Sequence, residues 1–447
     1  MRFFTFGVIR IMNILIVGNG FDLSHYLPTK YDHFMVAMQA IENWDELKGD
    51  MGFDDLFGSL YEKENYFFSY TKAMYKTDEI KIPVDRIQAL KEQLRENVWY
   101  QYFLDHVREV KTWIDFETKI ENALFLVTET LEIIESKYSS TGTFNDRIFY
   151  SKDNVKSGYK FIEYKFDALS KLGLFFENIN YGRHANNSYG KDIIAGYLPN
   201  DLFVVDGNEK YGFNTNKYIQ KLQNSLEDLM GLFNLYLELV INKLLPICEL
   251  NINSEDWIKL DKIYSFNYTN TYQRIYDNVD IDFLHGSSGE TQNIVLGISE
   301  LHAESLKKLK AYGFTKYHQK LLKQTDYSFL DDSTEVFKSI KRGRTMIDKE
   351  LKFFNFYIWG HSLDSSDQEY IHELFSFNLG KDQYVRVIIF YFSKQANFEL
   401  LANLLHVLGK EKVETWMKKG WLKFEPNPDI AKLNNIEPVE LPKLAEA

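Results

Sequence analysis

Four groups of polar residues in this sequence each follow a short apolar run of the kind that forms a buried strand. They read Gly18-Asn19-Gly20-Phe21-Asp22, Asn267-Tyr268-Thr269-Asn270, His285-Gly286-Ser287 and Gly360-His361-Ser362-Leu363-Asp364. A neutral imidazole suits general-base chemistry near pH 7, and amide and carboxylate groups bind hydroxyls and water. Because ligands bind at the carboxyl ends of the strands in an open α/β sheet, we expect the four groups to form one site.

The first group ends the apolar run Ile14–Val17 and precedes a helix predicted at Tyr31–Ile41. A strand, a glycine turn and a helix present backbone N–H groups to a phosphate, since glycines permit close approach and a helix start carries partial positive charge. Two glycines alone are equally consistent with a tight turn that binds no ligand. Asp22 is a better partner for a ribose hydroxyl or for water than for a phosphate.

Periodicity and turn residues predict the elements that position these groups. Strands are expected at Ile14–Val17, Lys262–Asn267, Ile281–Gly286, Asn293–Ile298, Phe354–Trp359, Tyr384–Phe392 and, at an edge, Trp421–Phe424. We therefore predict an α/β fold, with a mostly parallel, doubly wound, Rossmann-like sheet and a large, mainly α-helical insertion. Residues 12–30 and 258–425 are assigned to the sheet domain, residues 31–257 to the insertion, and residues 426–447 to a loose tail.

Two charged segments away from the strand ends are each open to interpretation. Asp115 and Glu117 begin a helix predicted at Thr112–Lys137, where the helix dipole favours acids, although either side chain could instead reach the ligand pocket. The segment 301–345 is helical and rich in lysine and arginine, and we interpret its charges as a solvated face. Residues 139–216 are rich in turn-forming residues and indicate little about chemistry.

Composition limits the class of protein. The chain has 447 residues and a net charge of −12, with 45% hydrophobic and 26% charged residues, which is typical of a soluble globular protein. The excess of acids argues against nucleic-acid binding. A single cysteine excludes an internal disulfide and a multi-cysteine metal site, and it fits a reducing compartment. With no apolar run of membrane-spanning length, we expect a cytoplasmic protein that binds neither nucleic acid nor membrane.

Five stretches resemble the bacterial AbiH family. They are GNGFDLSHYLPTKYDHF (18–34), WIDFE (113–117), FNYTNTY (266–272), LHG (284–286) and WGHSLDSSDQEYI (359–371). The first stretch is long and fairly specific, and the others are short but occur in the expected order. The family is named for abortive infection, in which an infected cell stops growing before phage is released. One departure is Tyr26, which stands where the family usually has glycine and affects the local turn geometry.

The order of the four groups is also similar, more distantly, to that of sirtuin-like NAD-binding domains, whose defence-associated members hydrolyse NAD to nicotinamide and ADP-ribose. This resemblance implies that Asn267 binds the nicotinamide ribose or the attacking water and that His285 is the general base. The nucleotide-binding residues it implies are Gly18, Asn19 and Gly20 at the diphosphate, Gly360, Ser362 and Asp364 at the adenosine end, and Phe21, Asp22, Gly286 and His361 elsewhere. One cysteine cannot supply the sirtuin zinc module, and no metal is expected.

The implied function is binding of NAD(P), as substrate or ligand, with hydrolysis of the nicotinamide glycosidic bond. Such an enzyme must be silent in healthy cells, so we expect a phage-derived trigger and a homo-oligomer. Two other classes stay open. A metal-dependent phosphoesterase would use a two-metal site, with Asn19, Asp22, His285, His361, Asp364 and Asp367 as ligands. A non-catalytic module would bind a nucleotide as a signal and contact a phage or host protein through the helical block.

Overall fold

The computed structural model describes residues 9–105, 113–141, 147–151, 163–178, 193–206, 209–252, 259–325, 329–330, 351–378 and 385–443. Within these residues six strands form one parallel sheet. They are β1 (Ile9–Val17), β2 (Lys262–Ser265), β3 (Ile281–Phe283), β4 (Leu351–Trp359), β5 (Val385–Tyr391) and β6 (Leu422–Pro426). Their order across the sheet is β3-β2-β1-β4-β5-β6. This is a Rossmann-like, doubly wound α/β arrangement, as the sequence predicts.

The strand order reverses between β1 and β4, which makes this pair the switch point of the sheet. β2 and β3 follow on one side of β1, and β4, β5 and β6 follow on the other. Val17 at the end of β1 is in register with Trp359 of β4 and with Ser265 of β2, so the three strands end at the same edge. In open α/β sheets the crevice at this point is where ligands bind.

β1 is buried on both faces because its side chains alternate between two hydrophobic cores. Leu15 and Val17 belong to a core shared with the helical insertion, and Ile14 and Ile16 belong to a second core with β4 and β5. A parallel strand that is covered on both faces has a nearly continuous apolar sequence. This burial explains why the strand can be recognised from its sequence.

The part of the chain between β1 and β2 is mainly helical. A short helix, Asn19–Ser24, follows β1, and the insertion then contains helices at Tyr31–Glu42, Phe53–Phe57, Asn65–Met74, Val84–Glu96, Val98–Leu104, Trp113–Thr141, Glu163–Lys171 and Thr215–Leu239. Antiparallel pairs join Met51–Gly52 with Lys81–Ile82, Ile193–Tyr197 with both Arg147–Ser151 and Phe176–Asn178, and Phe203–Asp206 with Glu209–Phe213. The predicted helical block is thus present, with small strand pairs added.

The remaining helices pack around the sheet at Thr271–Ile275, Glu304–Lys308, Lys316–Lys323, Gln368–Leu374, Lys394–Leu408, Lys410–Lys418 and Ile430–Leu433. Single 3-10 turns occur at Glu46–Lys48, Gly58–Leu60, Thr77–Glu79, Asn200–Leu202, Ile241–Lys243, Ala311–Phe314 and Ser365–Asp367. Across the described ranges, each helix is too short or too polar to cross a bilayer.

The strand predicted at Asn293–Ile298 is wrong, because a side chain replaces the strand that would pair with it. The backbone N–H of Leu296 donates to Oε1 of Gln319 (2.9 Å), and Nε2 of Gln319 donates to the carbonyl oxygen of Leu296 (2.9 Å). The apolar run is buried, as in a strand, but this amide satisfies the backbone of Leu296, and loop residues bond its neighbours, as where the N–H of Val295 donates to the carbonyl oxygen of His285 (2.8 Å).

Both ends of the described chain are more ordered than predicted. β1 begins at Ile9, ahead of the predicted domain start at residue 12. The segment after Pro426, predicted to be loose, contains the helix Ile430–Leu433. Ile430 and Leu441 are buried in the core shared with the insertion.

Candidate functional site

A cavity of about 520 Å³ lies at the carboxyl edge of the sheet, at the switch point between β1 and β4. Its volume is in the range of small-molecule sites. Residues from all four strand-end groups lie in its wall. Those predicted from the sequence are Gly18, Asn19, Gly20, Asp22, Asn267, His285, Gly360, His361 and Ser362. The structure thus brings these residues together, while their roles stay predictions.

Two of the predicted binding residues, Phe21 and Gly286, lie outside the cavity wall and have structural positions. The ring of Phe21 is buried and packs edge-on against Trp359, with ring centroids 5.1 Å apart. Gly286 has a φ of +80°, and a Cβ atom there would lie 2.0 Å from the carbonyl oxygen of Asn293. The turn therefore requires a glycine at this position.

Asp364, predicted at the adenosine end, also lies outside the cavity wall. Its Oδ1 accepts a hydrogen bond from the backbone N–H of Ser366 (2.9 Å) and caps the 3-10 turn Ser365–Asp367. Capping is a common role for aspartate at this position.

The glycines of the first turn bring β1 and the end of β4 into direct backbone contact. The N–H of Gly18 donates to the carbonyl oxygen of Trp359 (3.0 Å), and that of Gly20 donates to Gly360 (2.9 Å). A Cβ atom on Gly18 would lie 2.6 Å from the Cα of His361. Because two of the N–H groups predicted to hold a diphosphate are already bonded, these glycines serve the packing of the site.

A buried cluster of charged and imidazole groups forms part of the cavity wall, and Asp367 is its centre. Oδ1 of Asp367 lies 3.1 Å from Nε2 of His285 and 3.7 Å from Nζ of Lys316. Oδ2 of Asp367 lies 3.5 Å from Nε2 of His361. Nζ of Lys316 is in turn 2.6 Å from Oε1 of Glu117. We call these five residues the Asp367 cluster.

Distant parts of the chain supply the Asp367 cluster. Glu117 is the fifth residue of the helix Trp113–Thr141, and Lys316 is the first residue of the helix Lys316–Lys323. The interpretation of Glu117 as a pocket residue is confirmed, because it lines the cavity. The solvated-face interpretation of segment 301–345 is wrong for Lys316 and Lys320, which are both buried.

Burial and mutual charge shift the pKa values of the Asp367 cluster in different directions. Burial lowers the pKa of His285 to about 4, against the effect of Asp367, so its imidazole is neutral at pH 7. Burial would raise the pKa of Asp367, but Lys316 and the two histidines hold it well below the usual range. Burial raises the pKa of Glu117 to about 7, although Lys316 opposes this shift. The site therefore combines an ionised carboxylate with a neutral imidazole.

Hydrogen bonding fixes the orientation of His361. Its Nδ1 accepts the backbone N–H of Leu363 (3.0 Å), so in the neutral ring Nε2 carries the hydrogen and faces Asp367. The ring of Phe266 packs against both imidazoles, with centroids 4.1 Å from His361 and 5.1 Å from His285. This packing holds the two rings on either side of one carboxylate.

Asp22 is a second buried carboxyl group in the cavity wall. Its Oδ2 accepts a hydrogen bond from Oγ1 of Thr269 (2.7 Å), which itself accepts one from Thr271 (3.0 Å). Burial raises the pKa of Asp22 to about 6, although the hydroxyl groups, the amide of Asn267 and the charge of Arg274 oppose this shift. A carboxyl group with this pKa can exchange a proton near neutral pH.

Three side chains of the described residues, Asp32, His33 and Glu64, are close enough together to hold a metal ion. Their ligand atoms lie within 4.8 Å of one another, but Glu64 is already paired with the ammonium group of Lys30. These residues are not part of the cavity wall, and they are not the ligands that the phosphoesterase hypothesis predicts. Asp367, one of the metal ligands that the phosphoesterase hypothesis predicts, lies beside the ammonium group of Lys316.

Comparison with known proteins gives one match. The family model described as "Bacteriophage abortive infection AbiH" matches residues 14–391, which include the Asp367 cluster and β2 to β5. No curated protein matches the chain, and no solved structure does. The comparisons give no support to the more distant, sirtuin-like resemblance.

Proposed function

This chain belongs to the AbiH family of bacteriophage abortive infection proteins, and from that premise we propose that it defends against phage by hydrolysing NAD(P). The antiphage role follows from the family. The observation that carries the proposed reaction is the contact between an ionised carboxylate, Asp367, and a neutral imidazole, His285, in the wall of a ligand-sized cavity. This pair can accept a proton from water, which is the chemistry that hydrolysis requires.

In the proposed step, the oxygen atom of a water molecule bonds to C1′ of the nicotinamide ribose. The bond between C1′ and the pyridinium nitrogen breaks, and its electron pair returns to the ring, so nicotinamide leaves as a neutral molecule. His285 takes the proton of the water, and Asp367 stabilises the imidazolium that forms. The carboxylate also favours the positive charge that develops on the ribose. The products are nicotinamide, ADP-ribose and a proton.

Asn267 is suited to orient the ribose or the water, as the sequence suggests. Its side chain lies in the cavity wall and is buried, and its amide contributes to lowering the pKa of Asp22. An amide held in this way can donate to a ribose oxygen with little loss of side-chain entropy. Lys316 acts on the reaction through Asp367, whose ionised form it stabilises.

The extent of the cavity fits a dinucleotide. His285 follows β3 and Phe392 follows β5, and both residues line the cavity. Four strand spacings separate β3 from β5, which amounts to about 19 Å. A ligand that places its nicotinamide ribose at the Asp367 cluster can therefore extend past the switch point toward β5.

An enzyme that consumes NAD(P) must be held inactive before infection. We therefore propose that a phage-derived trigger activates it, that it works as a homo-oligomer, and that it acts in the cytoplasm, where its substrate is present. The insertion is suited to transmit such a signal, because it supplies Glu117 to the Asp367 cluster.

The test is to incubate the purified protein with NAD or NADP and to follow nicotinamide and ADP-ribose by chromatography. With phage lysate added to supply the proposed trigger, we expect both products from the wild type and at least a hundredfold less from His285→Ala and Asn267→Ala. His302→Ala is the matched control, because this histidine is exposed and lies outside the cavity wall. Nucleotide binding without product, also in the presence of phage lysate, would contradict the hydrolytic proposal and favour the non-catalytic module.

A further inference from the structure

The end of the cavity farthest from β3 has a distinct composition. Its wall is formed by residues of β5 and of the segments after β5 and β6, namely Phe390, Tyr391, Phe392, Glu399, Asn403 and Asn427. The Asp367 cluster contains residues that follow β3 and β4, and none of its members follows β5 or β6. This end is therefore placed to bind the part of a dinucleotide that does not react.

Phe392 gives this end an exposed aromatic face. The residue follows β5 directly, lines the cavity and is 81% exposed. An aromatic ring at the rim of a pocket can stack on a base, and such stacking contributes about 1–3 kcal/mol per base. Phe398 lies nearby in the helix Lys394–Leu408 and is also exposed, but it is not part of the cavity wall.

The polar groups at this end favour a hydrogen-bond donor on the ligand. Nδ2 of Asn427 donates to Oγ of Ser24 (3.1 Å), while its Oδ1 accepts no hydrogen bond from any described residue. The amide of Asn403 is already used, because it donates to the carbonyl oxygen of Ser362 (2.9 Å). Asn427 and the carboxylate of Glu399 are thus acceptors, which suit the exocyclic amino group and the ribose hydroxyls of adenosine.

The charges in the wall oppose a phosphate group at this end. The cations among the described wall residues are Lys30 and Lys316. Lys30 is paired with Glu64, and Lys316 contacts Glu117. Glu399 contributes a negative charge to the β5 end, where no lysine or arginine lines the described wall. A ribose 2′-phosphate placed here would meet a carboxylate without a compensating cation.

We propose that Phe392, Glu399 and Asn427 form an adenosine subsite that selects a ribose without a 2′-phosphate, so that NAD is bound in preference to NADP. This inference rests on the proposed function, because it takes the reacting ribose to lie at the Asp367 cluster. Phe392 stacks on the adenine, Asn427 accepts a hydrogen bond from the base, and Glu399 repels a phosphate on the ribose.

Titration calorimetry with NAD, NADP and ADP tests the subsite separately from turnover, at low salt and with the His285→Ala variant so that no substrate is consumed. We expect NAD to bind at least tenfold more tightly than NADP. Glu399→Lys should remove or reverse this preference, whereas Glu411→Lys, an exposed residue outside the cavity wall, should leave it unchanged. Equal binding of NAD and NADP by the parent protein would overturn the proposal.

Phe392→Ala should weaken NAD and ADP about tenfold, and Phe398→Ala should leave both affinities unchanged. Equal effects of the two variants would overturn the stacking role.

Nicotinamide release is measured in parallel on the wild type and separates the two proposals. Selective binding of NAD without release, also in the presence of phage lysate, contradicts hydrolysis and supports the subsite. Release from NAD and NADP at equal efficiency supports hydrolysis and overturns the subsite. Absence of binding by all three nucleotides would overturn both.

Discussion

Oδ1 of Asp367 lies 3.1 Å from Nε2 of His285, and both side chains are buried in the wall of the same cavity. Neither atom forms a well-aligned hydrogen bond within the described protein. Lys316 keeps the carboxylate ionised, and burial keeps the imidazole neutral. The relationship resembles a base and its orienting carboxylate, and it leads to several predictions.

Asp367→Asn should lower the turnover of NAD by about a hundredfold or more, because the imidazolium formed by His285 loses its counter-charge. The amide preserves the volume of the side chain, so the fold should persist. Product release by chromatography gives the rate, and circular dichroism reports the fold. Asp280→Asn removes an exposed carboxylate outside the cavity wall and should have no effect on turnover. A folded Asp367→Asn protein with wild-type turnover would remove Asp367 from the mechanism.

Lys316→Met should move the acidic limb of the pH profile of kcat/KM to higher pH. The charge of Lys316 lowers the pKa values of both Asp367 and His285, so its loss raises both, and the pair takes up a proton at a higher pH. Lys316→Arg keeps the charge and should restore the wild-type profile in part. If Lys316 had a purely structural role, Lys316→Met would lower kcat/KM at every pH without moving the acidic limb. That result would refute the role of Lys316 in positioning the charge of Asp367.

Asp22→Asn should change how stability depends on pH. Burial raises the pKa of Asp22 from 3.8 to about 6 in the folded protein. A raised carboxyl pKa contributes stability that is complete below the unfolded-state value and is lost as pH rises through 6. Relative to the variant, the wild type should therefore lose about 1 kcal/mol of unfolding free energy between pH 5 and pH 8. Urea unfolding at both pH values checks this, and a pH-independent difference would show that Asp22 keeps its ordinary pKa.

Gly360→Ala should destabilise the fold by about 3 kcal/mol or more, because both backbone strain and a collision act at this position. Gly360 has a φ of +74°, and a Cβ atom would lie 2.1 Å from the backbone nitrogen of Phe21. Gly49 is a matched control, since its φ is +83° and nothing lies within 4 Å of its Cβ position. Gly49→Ala should cost about 1 kcal/mol. Equal losses of unfolding free energy for Gly360→Ala and Gly49→Ala, measured by urea unfolding, would show that the turns after β1 and β4 do not need close contact.

The sheet and the strand-end groups could be predicted because their signals are local. Buried parallel strands are apolar throughout, and Gly18 and Gly360 mark the turns that follow them. A local apolar pattern does not show, however, which groups form hydrogen bonds with the backbone of the segment. The pattern therefore predicts a strand at Asn293–Ile298, whereas the amide of Gln319, from a later helix, bonds the N–H and the carbonyl oxygen of Leu296 in place of a neighbouring strand.

The centre of the site could be predicted only in part, because the partners of Asp367 come from distant segments. Lys316 lies in a basic stretch that has the composition of a solvated surface, and only the fold shows that it is buried beside two carboxylates. Glu117 begins a helix, where an acid needs no further explanation. The sequence alone is consistent with Glu117 at a solvated helix start or at the pocket. It does not show that Glu117 pairs with Lys316.

The position of β1 in the middle of the sheet has a consequence for synthesis on the ribosome. The backbone N–H of Asn13 in β1 bonds to Asp261, which lies 248 residues later in the chain, and β4 is made later still. At ordinary translation rates the first strand waits about 12 to 50 seconds for its first neighbour. A nascent chain therefore carries Gly18 and Asp22 without His285 or Asp367, so the proposed hydrolysis cannot begin before these later residues are made.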